Sequence, residues 1–133
     1  AAGLSPFDPD RAALRAGRIM LEEIKRRVLA GGSFAFETTL SGHNYARAIP
    51  HWRGEGYYVK LIFLSLPTAD VAIARVAARV AQGGHNVPEE VIRRRFDAGL
   101  RNFTDIYRDM ADSWILYDNS GPTHRPIVAG EKT

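Results

Sequence analysis

The chain has 133 residues, a length typical of a single domain that can bury a core of its own. With 45% hydrophobic and 25% charged residues, its composition excludes an intrinsically disordered protein. No apolar run approaches the roughly 18 residues of a membrane helix, and we expect no membrane contact. The chain contains no cysteine, which excludes disulfides and thiolate metal sites and fits the reducing cytoplasm, where we expect the protein.

Helix and strand patterns alternate along the chain, which predicts an α/β fold with a parallel sheet and right-handed crossovers. Asp8 is the predicted cap of the first helix. The apolar run over residues 57–66 is typical of a strand covered on both faces. Helices are predicted over residues 9–30, 44–54 and 69–81 and from Pro88 onwards, and strands over residues 33–39, 57–66, 114–119 and 127–129. In the helix after Pro88, the predicted inward face consists of Ile92, Phe96, Leu100 and Phe103.

Polar residues follow several predicted strands, where open α/β sheets place their ligand sites. They are Glu37-Thr38-Thr39, Ser65 and Asp118-Asn119-Ser120. Glu37 could bind a substrate hydroxyl, act as a base or order a magnesium-bound water, or it could cap the next loop or pair with an arginine. Asp118 and Asn119 could touch a ribose or base, although a turn is the simpler interpretation.

The net charge of +3 is concentrated between residues 75 and 108. This segment has seven arginines and four carboxylates, whereas the whole sequence has only three lysines. Because arginine stays charged and binds phosphate oxygens bidentately, the segment indicates phosphate recognition. Arg79 shares a helix face with Arg75, where both could also be simply solvated.

A glycine pair precedes the most basic part of this segment. Gly83-Gly84 leads through His85 to Pro88, and three consecutive arginines follow at 93–95. We interpret residues 82–96 as a mobile lid that delivers positive charge to phosphate, as in phosphoryl transfer. The three arginines cannot all point the same way on a helix. His85 could act as an acid or base, or bond a backbone group, and the histidine spacing predicts no protein-built metal site.

Three segments together resemble the zeta-toxin family of P-loop kinases, in particular its compact bacterial branch of predicted ATPases or kinases. They are residues 34–42 (FAFETTLSG), 83–96 and 117–120 (YDNS), in the motif order of the family over nearly the whole chain. Asn102, seven residues after Arg95, fits the same pattern.

The resemblance implies a three-layer P-loop kinase-like fold, a parallel sheet with flanking helices, in one domain over residues 1–133. The implied activity is ATP- and Mg²⁺-dependent transfer of the γ-phosphoryl group to a hydroxyl, which in characterised relatives belongs to UDP-N-acetylglucosamine; an antitoxin protein is an implied partner. The implied site residues are Glu37, Thr38, Thr39 and His85 for the substrate, Arg79, Arg94 and Arg95 for catalysis at the phosphates, and Asp118 and Asn119 for the nucleotide.

The phosphate-binding sequence Gly-x-x-x-x-Gly-Lys-[Ser/Thr] does not occur in the 133 residues. The resemblance leads us to expect this loop, the first strand and a catalytic aspartate upstream of Ala1, and to expect the chain alone to be inactive. His85 stands where other members of the family carry a lid arginine, so the acceptor stays open. The alternative is a non-catalytic nucleotide- or nucleic-acid-binding module that uses the arginines; nucleic acid is less expected, because aromatic residues are not interleaved with them.

Overall fold

The computed structural model describes residues 9–131, which form a mixed α/β structure. They divide into two compact units, one ending at Glu37 and the other beginning at Thr38, and each is described by itself. Asp8, the predicted cap of the first helix, lies outside the described residues.

In the first unit, helix α1 (Pro9–Ala30) is followed by a segment without regular secondary structure over residues 32–37. The predicted helix over residues 9–30 is confirmed. It ends where Gly31, at a φ of 82°, donates its N–H to the carbonyls of Arg27 and Val28, both at 3.2 Å. Although α1 has 22 residues, charged side chains occur along its length. No helix in the described part of the chain is both long and apolar enough to cross a bilayer.

The predicted strand over residues 33–39 is wrong, because this segment forms no ladder with any strand of the described chain. The rings of Phe34 and Phe36 nevertheless stack on each other, with centroids 6.4 Å apart. A strand also requires a neighbouring strand, which the local sequence cannot supply.

The second unit contains the remaining helices and all described strands. Its helices are α2 (Tyr45–Gly54), α3 (Ala69–Ala81), α4 (Glu89–Asn102), a π-helical turn (Phe103–Tyr107) and α5 (Arg108–Met110). Its strands are β1 (Lys60–Ser65), β2 (Ser113–Asp118) and β3 (Arg125–Glu131). The predicted helices over 44–54 and 69–81 and the helix after Pro88 are confirmed. The π-helical turn was not predicted.

The three strands form one mixed sheet in the order β1-β2-β3. β1 and β2 are parallel, with Ile62 opposite Ile115, as the alternation of strands and helices predicts. β3 is antiparallel to β2, which corrects the prediction of a fully parallel sheet. The physical reason is the length of the connection: residues 119–124 can form a reversal but not the crossover that a parallel neighbour needs.

One face of β1 is packed and the other is exposed. The ring of Phe63 lies 4.7 Å from the ring of Phe103, and Phe103 lies 5.7 Å from Trp114 of β2. On the opposite face, Ile62 and Leu64 are 55% and 51% exposed. The prediction that β1 is covered on both faces is therefore wrong for the described residues, because an apolar run alone does not distinguish a half-exposed strand from a buried one.

A carboxylate fixes the beginning of the parallel pair. Asp112 accepts hydrogen bonds from the backbone N–H of Val59 at 2.7 Å and from Nε of Arg53 at 2.9 Å. Its own N–H donates to the carbonyl of Val59 at 2.9 Å. Asp112 thus holds the end of α2 and the starts of β1 and β2 together, and the polar ends of both strands fall at the same edge of the sheet.

The glycine pair after α3 is a helix cap. Gly83 donates its N–H to Val80 and Gly84 donates to Arg79, at 3.0 and 2.7 Å, which is the double hydrogen bond of a Schellman motif. Gly83 has a φ of 95°, and a Cβ on Gly84 would lie 2.9 Å from the carbonyl oxygen of Arg79. Capping therefore accounts for both glycines, and the mobility of the lid stays a prediction.

Substituting either glycine is expected to destabilise the fold. Gly83→Ala should cost about 1 kcal/mol because of its left-handed backbone, and Gly84→Ala about 1–3 kcal/mol because its methyl group meets backbone rather than a movable side chain. Urea unfolding measures both. Gly54→Ala is the matched control, since nothing lies within 4 Å of its Cβ; equal stabilities for all three variants would contradict the capping role.

Candidate functional site

Residues Thr38–Gly42 form a compact turn that we call the hydroxyl loop. The Oγ1 of Thr38 accepts the N–H of Leu40 at 3.2 Å, and the hydroxyls of Thr39 and Ser41 are 2.8 Å apart. Leu40 has a φ of 56°, which is unfavourable for a branched side chain, yet its side chain is buried. The loop therefore anchors itself through Leu40 and leaves Thr38 and Thr39 exposed to solvent.

Asn102 at the end of α4 holds the hydroxyl loop from beneath. Its Nδ2 donates to the carbonyls of Leu40 at 2.7 Å and Gly42 at 3.3 Å. Its Oδ1 lies 3.1 Å from Nε2 of His43, which must be the donor because Oδ1 can only accept. At 3% exposure, Asn102 is the one buried polar residue of the described chain, and all its hydrogen-bonding groups have partners.

The hydroxyl loop also lies directly on α4, where glycine makes the approach possible. A Cβ on Gly99 would lie 2.5 Å from the carbonyl oxygen of Thr39. A glycine inside a helix costs about 1 kcal/mol relative to alanine, so it usually has a packing reason. Gly99, inside a predicted helix, is therefore the signal of this close packing in the sequence.

Arg95 lies on the side of α4 that carries this contact. It is half-buried and belongs to the same helix face as Val91, Gly99 and Asn102, which are buried. These positions, 4, 8 and 11 residues after Val91, fall within about 80° around the helix axis. Of the predicted inward face, Phe103 is buried and Ile92 and Phe96 are partly buried, whereas Leu100 is 39% exposed. The structure therefore brings Arg95 and the hydroxyl loop to one face of α4.

The other basic residues of the segment are distributed differently. Arg93 donates to Asp70 at 2.6 Å and to Glu89 at 3.2 Å, and these hydrogen bonds raise its pKa. Arg75 donates through Nη2 to the carbonyl of Asn119. Arg93 thereby connects α4 to α3, and Arg75 connects α3 to the turn after β2. The side chains of Arg79 in the last turn of α3, His85 in the loop between α3 and α4, and Arg94 on α4 are exposed, and their role at the phosphates or the substrate stays a prediction.

Asp118 and Asn119 form a turn at the end of β2. Asp118 Oδ1 accepts the N–H of Ser120 at 3.0 Å, and the N–H of Asn119 donates to the carbonyl of Ser65 at 2.8 Å. The hydrogen bonds from the hydroxyl and N–H of Ser120 lower the pKa of Asp118, and Arg125 adds a smaller effect. These contacts support the interpretation as a turn. A contact with a nucleotide base stays a prediction.

Glu37 is exposed and is the last residue of the first unit, so its role in substrate binding stays a prediction. Among residues 9–131, no three histidine, aspartate or glutamate side chains lie together as metal ligands would.

The lowered pKa of Asp118 predicts a pH-dependent contribution to stability. Because the folded-state pKa lies below the unfolded value near 3.8, ionised Asp118 stabilises the fold above that pH, and this stabilisation is lost as the pH falls through the folded pKa. Thermal unfolding of the natural protein and Asp118→Asn should therefore differ at pH 6 and converge in acid. Ser120→Ala should raise the pKa of Asp118 measured by carbon NMR; a difference in unfolding temperature independent of pH would refute this account.

No family model matches the chain, and no solved structure matches it significantly. The chain is similar to an uncharacterized protein of Haemophilus influenzae, with 28% identity over 93 residues. The alignment covers 70% of this chain and 66% of the relative, so it spans slightly less than two thirds of the length of that protein.

Proposed function

We propose that the chain belongs to an ATP-dependent small-molecule kinase of the zeta-toxin-like type, with a P-loop kinase-like fold. The observation that carries the proposal is the position of Arg95 on the α4 face that supports the hydroxyl loop. A guanidinium group on the helix face that supports exposed threonine hydroxyls can hold a phosphoryl group near an acceptor hydroxyl. The parallel pair of β1 and β2, with Ser65 and Asp118 at its carboxyl end, supports the fold assignment.

The described residues have distinct roles in this proposal. Thr38 and Thr39 hydrogen-bond the acceptor, with Glu37 on the substrate side as the resemblance implies. Arg95 offsets the negative charge that develops on the transferred phosphoryl oxygens. Arg79, Arg94 and His85 belong to the proposed lid, and Asp118 and Asn119 to the nucleotide side.

Of the groups that would bind ATP and Mg²⁺, this chain supplies only one for the phosphate next to the acceptor. Arg95 suits a phosphate oxygen, but the 133 residues contain no Gly-x-x-x-x-Gly-Lys-[Ser/Thr] sequence to cradle the other phosphates. The described residues also contain no group of three or more histidine or carboxylate side chains that could hold a metal ion. We therefore derive no catalytic step through either group. The acceptor proposed for testing is a sugar nucleotide such as UDP-N-acetylglucosamine, and an antitoxin partner is part of the same proposal.

The contacts of the arginines favour a kinase over a nucleic-acid-binding module. Arg75 and Arg93 are bonded within the fold, so the basic segment is not a continuous free surface for a phosphate backbone. A nucleic-acid interface would need several cations aligned along one groove.

Replacing Arg95 tests the proposal most directly. In the polypeptide encoded by the complete reading frame, with γ-labelled ATP and a panel of sugar nucleotides, Arg95→Ala should reduce turnover by at least about 100-fold, the loss expected for a group that binds transition-state charge. Arg101→Ala is the matched control, because Arg101 is exposed in the last turn of α4.

The natural protein should transfer label to at least one acceptor of the panel, and Arg101→Ala should retain that activity. An equal loss of turnover in Arg95→Ala and Arg101→Ala would contradict the catalytic role of Arg95. Salt-dependent binding of single-stranded oligonucleotides without any phosphoryl transfer would instead support the nucleic-acid-binding alternative.

A further inference from the structure

Two donors, one at the end of α4 and one at the end of the π-helical turn, bind the same carbonyl of the hydroxyl loop. The hydroxyl of Tyr107 donates to the carbonyl of Gly42 at 2.7 Å, and Nδ2 of Asn102 donates to the same oxygen at 3.3 Å. A carbonyl oxygen has two lone pairs, so this pair of bonds uses its full accepting capacity. With the bond from Asn102 to the carbonyl of Leu40, the backbone of the loop is held at two points.

The π-helical turn makes this convergence possible. Asn102 is the last residue of α4, and Tyr107 is the last residue of the π-helical turn, five positions later. In an α-helix, side chains five residues apart point about 140° away from each other. A π-helical turn, with i→i+5 hydrogen bonds, is wider than an α-helical one, so it reduces this angle and brings the two side chains towards one side. The turn therefore aligns the amide of Asn102 with the hydroxyl of Tyr107.

Packing alone does not explain why the polar side chain of Asn102 is buried and why Leu40 has a positive φ. The hydrogen bonds of a buried amide such as that of Asn102 mainly offset the cost of its desolvation, so it adds little net stability compared with an apolar side chain of the same size. The side chains held at the surface by these bonds, Thr38 and Thr39, are exposed and contribute little to the core. Leu40 meanwhile is kept at a positive φ, a conformation that persists where the surroundings impose it and that clusters at functional sites.

We propose that Asn102 and Tyr107 are positioning residues that hold the hydroxyl loop in the conformation that binds the phosphoryl acceptor. This inference rests on the proposed kinase function for the identity of the ligand. The positioning itself is a property of the chain that can be measured without any activity.

Two conservative variants remove the bonds without removing the packing. Asn102→Asp keeps the size of the side chain and an oxygen for His43, but it replaces the two donors to Leu40 and Gly42 by an acceptor. Tyr107→Phe removes the hydroxyl and keeps the ring that packs 6.4 Å from Tyr45. His43→Ala is the matched control, since it removes the partner of Oδ1 and leaves both donors of Asn102 in place.

Amide hydrogen exchange measures the positioning. In Asn102→Asp and Tyr107→Phe, exchange of peptides that cover residues 38–43 should accelerate by at least about tenfold, as expected for the loss of a buried hydrogen bond. Exchange in α3 (Ala69–Ala81) should be unchanged, and His43→Ala should change loop exchange by less than about threefold. Unchanged loop exchange, or an equal acceleration in α3 that reports general destabilisation, would overturn the inference.

Kinetics measure the consequence for the acceptor. With an acceptor that the natural protein phosphorylates, Asn102→Asp should raise the KM for this acceptor by at least about tenfold and leave the KM for ATP unchanged. Equal changes in both constants would overturn the assignment to the acceptor. Absence of transfer by the natural protein would instead refute the proposed kinase function, and the exchange result would still decide whether the two residues position the loop.

Discussion

The ring of Phe103 connects the helices of the second unit to its sheet. Phe103 is 2% exposed and packs on Phe63 of β1 and Trp114 of β2. Burying such a ring contributes about 1.5–3 kcal/mol, and an aromatic pair adds about 0.5–1.5 kcal/mol. Asn102 directly precedes Phe103 in the chain. The packing of Phe103 on the sheet therefore also fixes the position from which Asn102 contacts the hydroxyl loop.

Local signals in the sequence predicted the helices well, because caps and periodicity act over a few residues. The N–H of Val71 donates to the hydroxyl of Thr68 at the start of α3, and Gly83 and Gly84 close its end. Pairing in the sheet is non-local, so the apolar residues of the segment 33–39 could suggest a strand but could not supply its partner. The direction of β3 depends on the short connection before it, which pattern matching alone did not weigh.

The candidate site was predicted in part for the same reason. The threonines after the extended segment and Arg95 are recognisable by residue type, and the structure brings them to one helix. Asn102 was noted only through the family resemblance, since a polar residue beside Arg101, between Leu100 and Phe103, has no periodic signal of its own. Tyr107 could not be predicted, because its position depends on a π-helical turn that no simple sequence pattern indicates.

The π-helical turn also bears on how this part of the chain can vary in length. A π-turn is a local widening of an α-helix, so deleting one residue between Phe103 and Tyr107 would restore α-helical spacing. The tyrosine would then follow Asn102 by four residues, about 40° away around the helix axis, and would stay on the side of the carbonyl of Gly42. Substitutions on the exposed side of this turn, at Thr104 and Asp105, leave this orientation intact. Homologous chains that keep the hydroxyl loop should therefore tolerate changes of residue here, and also a gap of one residue that exchanges the π-helical turn for an α-helical one.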